Sequence, residues 1–116
     1  MNRRKQTLKE EKTSRILRTL PSEKAFYFFT SIGNYTGERA ISFKEFMDKI
    51  NQVTVKSLEF HLYRGDFEKW IAETLEDQEL KRKIANLRNR NYSGTALKEQ
   101  LYKTLTMHYQ KIISKS

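Results

Sequence analysis

The stretch from Leu58 to Ile71, which reads LEFHLYRGDFEKWI, constrains the fold more than any other part of the chain. Apolar residues recur at helical spacing on both sides of Gly65, and glycine readily adopts the left-handed conformation that ends a helix. Asp66 follows as the expected N-cap of the next helix. The segment therefore predicts two helices joined at a corner, with Arg64 paired to Asp66 or Glu68 across it.

A run of aromatic residues predicts a short strand in the N-terminal half. Residues 25–32 read AFYFFTSI, and four aromatics in succession favour a buried strand, with a helix as the alternative. The turn-forming residues Gly33 and Gly37 follow, and residues 39–42 have the composition of a returning strand. We therefore expect a β-hairpin with a long loop.

Most of the remaining chain has the period of amphipathic helices. Ser42 and Glu45 form a capping box, and Thr54, Asp77 and Thr95 are candidate caps of later helices. A polar loop is expected over residues 86–94. The apolar residues at helical spacing are Phe43, Phe46, Met47, Ile50, Val55, Leu58, Leu62, Phe67, Trp70, Ile71, Leu75, Leu80, Ile84, Leu87, Leu97, Leu101, Leu105 and Ile112.

Length and composition fit one folded domain with a basic extension. The chain has 116 residues, of which 37% are hydrophobic, so there is enough apolar surface for one modest core. Pro21, the only proline, separates a basic N-terminal arm (1–21), partly helical or disordered, from a single globular domain (22–116) that ends in a basic helix. We expect a mainly α fold, a compact bundle of four or five helices with a short aromatic β-hairpin.

Several classes of protein are disfavoured by the sequence. The chain has no cysteine, which excludes disulfides and thiolate chemistry, and no apolar segment resembles a signal peptide or a membrane span. We therefore expect a cytoplasmic protein that does not bind membranes. Charged residues make up 32% of the chain and are rich in lysine and glutamate, a composition that fits a thermophile.

The net charge of +9 is distributed unevenly along the chain. An acidic middle, residues 22–80, contains eleven acidic and seven basic residues, whereas residues 81–116 contain nine basic residues and Glu99 alone. Arginine and lysine contact phosphates, and tyrosine can stack on an unpaired base. The predicted nucleic-acid-binding residues are Arg3, Arg4, Lys5, Lys81, Arg82, Lys83, Arg88, Arg90, Tyr92 and Lys98.

Two separated motifs, FYFFTSIGNYTGERA and SLEFHLYRGDFEKWI, carry a family resemblance over about residues 20–90. Together they resemble a small archaeal family of domains of unknown function, with an aromatic strand, a glycine–tyrosine loop and a His…Arg-Gly-Asp-Phe…Trp corner. The resemblance implies an archaeal source and supports the fold. It implies no activity, and the basic arm lies outside it.

His61 is the most prominent candidate for chemistry, but the sequence gives it few partners. Only two histidines are present, His61 and His108, and they are far apart, so no metal ligand set is predicted. We interpret His61 as packed against the aromatic strand and hydrogen-bonded to a backbone group or a carboxylate. No phosphate-binding loop, dinucleotide fingerprint or nucleophile elbow is present, so we expect no enzyme and no cofactor.

Two hypotheses about function follow from these patterns. The first is a non-enzymatic RNA-binding accessory protein, associated with the ribosome, that uses the basic arm and the C-terminal region and favours RNA over DNA. The second is a protein-interaction or regulatory module that acts through a surface around Tyr35, His61 and Arg64. An acidic protein is the expected partner if nucleic acid is not.

Overall fold

The computed structural model describes the main chain of residues 2–115 and the side chains of residues 10–114. Over that range the predicted mainly α fold with a β-hairpin is confirmed. Five helices lie within residues 22–116 and one precedes them. The elements are α1 (Asn2–Leu17), β1 (Phe26–Ser31), β2 (Asn34–Ala40), α2 (Phe43–Gln52), α3 (Val55–Arg64), α4 (Asp66–Trp70), α5 (Gln78–Asn89) and α6 (Gly94–Lys115).

The hairpin differs from its prediction in the length of its turn. Strands β1 and β2 are antiparallel, and Ser31 pairs with Asn34, so only Ile32 and Gly33 connect them. Gly33 has a φ of +78°, a conformation in which a Cβ is unfavourable. The predicted long loop is wrong because residues 34–38 belong to β2, where two irregularities in the register accommodate them.

The helix boundaries follow the predicted caps in most places. The side chains of Ser42, Thr54 and Asp77 each accept a hydrogen bond from a backbone N–H in the first turn of α2, α3 and α5, respectively. Asp66 and Thr95 are exceptions. Asp66 is the first residue of α4 and its side chain makes no capping bond, and Thr95 lies inside α6, which begins at Gly94. The predicted polar loop over 86–94 is also too long, since α5 continues to Asn89.

The helix α4 continues into a single π-helical turn, Ile71–Leu75, which places both of those residues in the core. A π turn inserts one extra residue into a helix and shifts the face that follows it. Glu76 ends this turn with a φ of +61°. Asp77 then caps α5, so the π turn sets the direction of α5 relative to α4.

A cluster of aromatic rings forms the centre of the core. Phe26 and Phe28 alternate with outward-facing residues along β1 and point to the same face. Phe26 lies 4.8–5.6 Å from the ring centroids of Phe28, Phe46, Phe67 and Trp70, mostly in edge-to-face or tilted arrangements. The strand, α2 and α4 are therefore joined through one aromatic contact region.

The end of α1 belongs to the folded body. Ile16 and Leu20 are buried in the same core as the rest of the chain. The backbone N–H of Leu20 donates to the Ile41 carbonyl at 2.7 Å, and the Arg18 guanidinium donates to the Thr74 carbonyl at 2.7 Å. Residues 16–20 thus help to hold the domain together, although the sequence places them before Pro21 in the arm.

We expect Gly65→Ala to lower the free energy of unfolding by about 1–2 kcal/mol. Gly65 ends α3 with a φ of +80°, and no neighbouring atom would contact an added Cβ, so the cost is backbone strain alone. Chemical denaturation measures the loss. Gly65→Asn is the control and should lose less, because asparagine tolerates this conformation. Equal losses in the two variants would contradict the explanation.

Candidate binding groove

His61 joins the hairpin to the corner between α3 and α4. The backbone N–H of Phe29 in β1 donates to Nε2 of His61 at 2.8 Å. On the other side of the ring, Nδ1 lies 2.8 Å from Oδ2 of Asp66. The expectation that His61 packs on the aromatic strand and bonds a backbone group or a carboxylate is therefore confirmed, since it contacts one of each.

These two contacts determine the protonation of His61. Because Nε2 accepts a hydrogen bond from Phe29, the proton of the neutral ring is on Nδ1 and is donated to Asp66. The side chain is 4% exposed, and burial lowers the pKa of His61, although the nearby Asp66 carboxylate partly opposes this effect. The ring is thus held neutral and in one orientation.

A second side chain of α3 holds the same residue of β1. The hydroxyl of Ser57, which is fully buried, donates to the carbonyl of Phe29 at 2.7 Å. Since His61 accepts from the Phe29 N–H, both backbone polar groups of this residue are bonded to α3. The outer edge of β1 at Phe29 is therefore closed by a helix instead of a third strand.

Between β1 and α3 lies an open groove of about 400 Å³. Its walls are mostly apolar, and Ile32 at the hairpin turn is 85% exposed, an unusual position for a large aliphatic residue. We call this feature the aromatic groove. It is lined by Phe26, Tyr27, Phe29, Ser31, Ile32, Gly33, Phe60, His61, Arg64 and Asp66.

Arg64 is the charged residue of the groove wall that remains open to solvent. Its guanidinium lies 4.7 Å from the ring centroid of Phe60, and its Nε lies 3.4 Å from Oδ2 of Asp66. The predicted pairing of Arg64 with Asp66 across the corner is therefore present, while Glu68 pairs with Arg88 instead, at 2.6 Å. Asp66 holds both His61 and Arg64 in place.

The three residues of the predicted interaction surface lie in one region. Arg64 and His61 line the aromatic groove, although the His61 side chain lies at its floor and is nearly inaccessible. Tyr35 is 45% exposed on β2, and its ring packs 5.7 Å from Tyr27 and 5.4 Å from Phe29. Tyr35 therefore supports the outer side of the groove without lining it.

Sequence reasoning missed the groove-facing side chains of β1. The segment 25–32 was expected to be buried as a whole, but only Phe26 and Phe28 are in the core, and Tyr27 is exposed. The alternation of a strand, which points successive side chains to opposite faces, was the available signal. Applied to Tyr27 and Phe29, it places both on the face opposite the core.

The predicted nucleic-acid-binding residues do not form one uniform surface. Lys83 and Arg88 lie beside acidic residues, at 3.8 Å from Glu79 and 2.6 Å from Glu68, respectively. Lys98 donates to the carbonyl of Asn51, and Tyr92 is half-buried against the core. Lys81, Arg82 and Arg90 have no acidic partner among residues 10–114. Arg3, Arg4 and Lys5 lie in α1, but their side chains are outside the described residues.

A second titratable cluster was not predicted. His108 of α6 and Asp77 are both about 2–3% exposed, and Nε2 of His108 lies 2.6 Å from Oδ2 of Asp77. Burial raises the pKa of Asp77, but hydrogen bonds from His108 and from the Leu80 N–H outweigh it, so the pKa lies below its usual value. Helical spacing from Leu105 places His108 on the buried face, which was the available signal.

No group of three or more histidine, aspartate or glutamate side chains that could hold a metal ion occurs among the described residues. None of the helices described here is long and apolar enough to cross a membrane. Comparison with known proteins gives no match to any protein-family model, curated protein or solved structure. The resemblance to the archaeal family therefore stays a prediction, and the groove has to be interpreted from its own chemistry.

We expect the free energy of unfolding to fall as the pH drops below about 6.5, the ordinary pKa of histidine. The folded state resists protonation of His61, because burial lowers its pKa, so acid favours the unfolded chain. The loss should level off once the pH is below the folded-state pKa. Denaturation of the wild type and of His61→Gln between pH 7.5 and 5.5 measures it.

The free energy of unfolding of His61→Gln should depend less on pH over this interval. Glutamine can accept the hydrogen bond from the Phe29 N–H but does not titrate. All other side chains are the same in the two proteins, so the difference between them isolates His61. Parallel loss of stability in the two proteins would contradict the assignment.

Proposed function

We propose that this protein is a non-enzymatic interaction module that binds a short segment of a partner protein in the aromatic groove. The observation that carries the proposal is the exposure of Ile32 and Tyr27 beside a preformed concave site of about 400 Å³. Pockets of this size, apolar with a few fixed polar groups, are typical binding sites. Exposed aliphatic and aromatic residues around such a site are typical of interaction surfaces.

The rigidity of the groove supports binding without a large ordering cost. Its floor is fixed by the bonds of His61 to Phe29 and Asp66, and one wall is fixed by the bond of Ser57 to β1. A site that is already in its bound shape loses less conformational entropy when a partner binds. The buried polar residues of the corner are then positioning residues, and the exposed apolar ones make the contact.

The groove favours a protein segment over a nucleic acid. Among the described residues that line it, Arg64 is the only one with a permanent positive charge, and Lys81, Arg82 and Arg90 lie elsewhere. The rings of Tyr27 and Tyr35 are inclined by 63°, so they do not present the flat parallel faces on which successive bases stack.

Selection from a random peptide display library tests the proposal. We expect selected peptides to bind the wild type roughly tenfold more tightly than Ile32→Ser, because burying an isoleucine contributes about 1.5 kcal/mol or more. Met107→Ser is the matched control, since Met107 is also an exposed apolar residue, at 59%, and does not line the groove. Peptides that bind all three proteins equally, or the absence of any binders, would contradict the proposal.

RNA binding through α5 is a second candidate, and a different observation favours it. Lys81, Arg82 and Arg90 lie on or beside the outer surface of α5, and no acidic side chain of residues 10–114 pairs with them. Asn86 and Asn89 are exposed on the same helix. Unpaired cations beside amides fit phosphate contacts with weak sequence preference, as expected of a ribosome-associated accessory protein.

We expect replacement of Lys81, Arg82 and Arg90 by glutamine to weaken the binding of single-stranded RNA and to flatten its salt dependence. Each lost phosphate contact lowers the slope of log K against log salt by roughly 0.7, so three lower it by about 2. Fluorescence anisotropy across a salt series measures the slope.

A charge-matched triple variant, with Lys44, Lys56 and Lys69 replaced by glutamine, is the control for that experiment. All three lysines are exposed and lie in the acidic middle of the chain. An equal change of slope in both variants would mean that RNA is attracted by the general positive charge of the protein and not by a site on α5. No RNA binding at low salt would remove it.

A further inference from the structure

We propose that the segment bound in the aromatic groove is acidic: a bulky apolar side chain enters the groove, and a neighbouring Asp or Glu side chain binds Arg64. This inference rests on the proposed function and specifies the chemistry of the partner. Three features of the described residues support it: the contacts that restrain Arg64, the charge balance around the groove, and the hydrogen bonds between the β1 backbone and side chains of α3.

The Arg64 guanidinium contacts Phe60 and Asp66 and leaves its outer nitrogens available. Its Cζ lies over the Phe60 ring at 4.7 Å from the centroid and its Nε lies 3.4 Å from Asp66, and these two contacts restrain the side chain. Its terminal Nη atoms make no hydrogen bond to any of residues 10–114. A restrained guanidinium with a free edge can donate two parallel hydrogen bonds to a carboxylate, which a flexible lysine does less specifically.

The acidic residues on the elements around the groove are already bonded within the protein. Asp66 contacts His61 and Arg64, and Glu38 of β2 lies 2.5 Å from Lys49. The Glu59 carboxylate of α3 accepts from the backbone N–H of Gly94 at 2.8 Å. Their negative charge is therefore partly neutralised at short range.

A second arginine adds positive charge on the hairpin side. Arg39 pairs with Tyr27 across the two strands, so their side chains share one face of the hairpin. Arg39 is exposed and has no acidic partner among residues 10–114. With Arg64 and Arg39 beside the groove, the potential there favours an acidic segment over a basic one.

At Phe29, the backbone of β1 does not offer the donors that a chain terminus needs. Sites that capture a C-terminal carboxylate use unpaired backbone N–H groups, and strand addition needs a free strand edge. At Phe29 both the N–H and the carbonyl are bonded to α3. Arg64 offers its terminal nitrogens as donors beside Phe60, so a carboxylate on a side chain within the segment fits better than a terminal one.

Four blocked peptides that differ at two positions test the inference. The first contains phenylalanine and glutamate in a glycine–serine background. In the second and third, glutamine or lysine replaces the glutamate, and in the fourth, alanine replaces the phenylalanine. A further peptide combines phenylalanine with glutamine and a free C-terminal carboxylate. Titration of the ¹⁵N-labelled full chain follows the backbone amides of Ser31, Ile32, Gly33 and Arg64.

We expect all the phenylalanine peptides to shift the groove amides and the alanine peptide to shift them far less. The glutamate peptide should bind about threefold to fivefold more tightly than the glutamine peptide, a modest factor because Arg64 is partly exposed. Arg64→Gln should remove this preference, whereas Lys56→Gln, which removes an exposed charge elsewhere on α3, should keep it. Thermal unfolding checks that both variants are folded.

Each of the other outcomes overturns a defined part of the proposal. If the phenylalanine peptides bind alike whatever their charge, the groove is an interaction site but the acidic partner is wrong. If the free C-terminal carboxylate binds best, the source of the carboxylate is wrong. If no peptide shifts the groove amides, the proposed function itself fails, and groove shifts caused by a short single-stranded RNA would assign the groove to nucleic acid.

Discussion

The hydrogen bonds of His61 are the interaction on which the arrangement of hairpin, α3 and α4 depends. The ring accepts from the Phe29 backbone and donates to Asp66, so one side chain connects β1 to both helices of the corner. Its partners leave it one tautomer and one orientation. Asp66 in turn restrains Arg64, so the position of the exposed guanidinium depends on the buried histidine. A neutral, fully bonded histidine stabilises the groove without taking part in binding.

Some of the charged residues of this protein form ion pairs within the fold, and others remain available at its surface. The sequence shows a strong excess of positive charge near the C terminus, yet Arg88 and Lys111 lie close to glutamates of the acidic middle. Opposite charges that are far apart in sequence are thus brought together by packing α5 and α6 against the rest of the domain. The basic residues that lack an acidic partner among residues 10–114, including Arg82 on α5 and Arg90 just after it, are the part available to an external partner.

The local patterns predicted most of the fold because their physics is local. A serine or threonine three residues before a backbone N–H caps a helix in the same way in most contexts, which is why α2 and α3 begin at Ser42 and Thr54. The hairpin turn was predicted less well, because register and bulges depend on which residues of two strands meet. The predicted helix cap at Asp66 was wrong for a similar reason, since its carboxylate contacts His61 and Arg64 instead of a backbone N–H.

The sequence by itself determined the helical class, the corner at Gly65 and the aromatic character of β1, because spacing and backbone preference act over a few residues. It also pointed to Tyr35, His61 and Arg64 as one region. Only the tertiary structure decided that a groove lies between β1 and α3, that His61 is its floor and Arg64 part of its wall, and that Ile32 projects beside it. A concave site is made by surfaces from distant segments, and its shape depends on packing that no local pattern encodes.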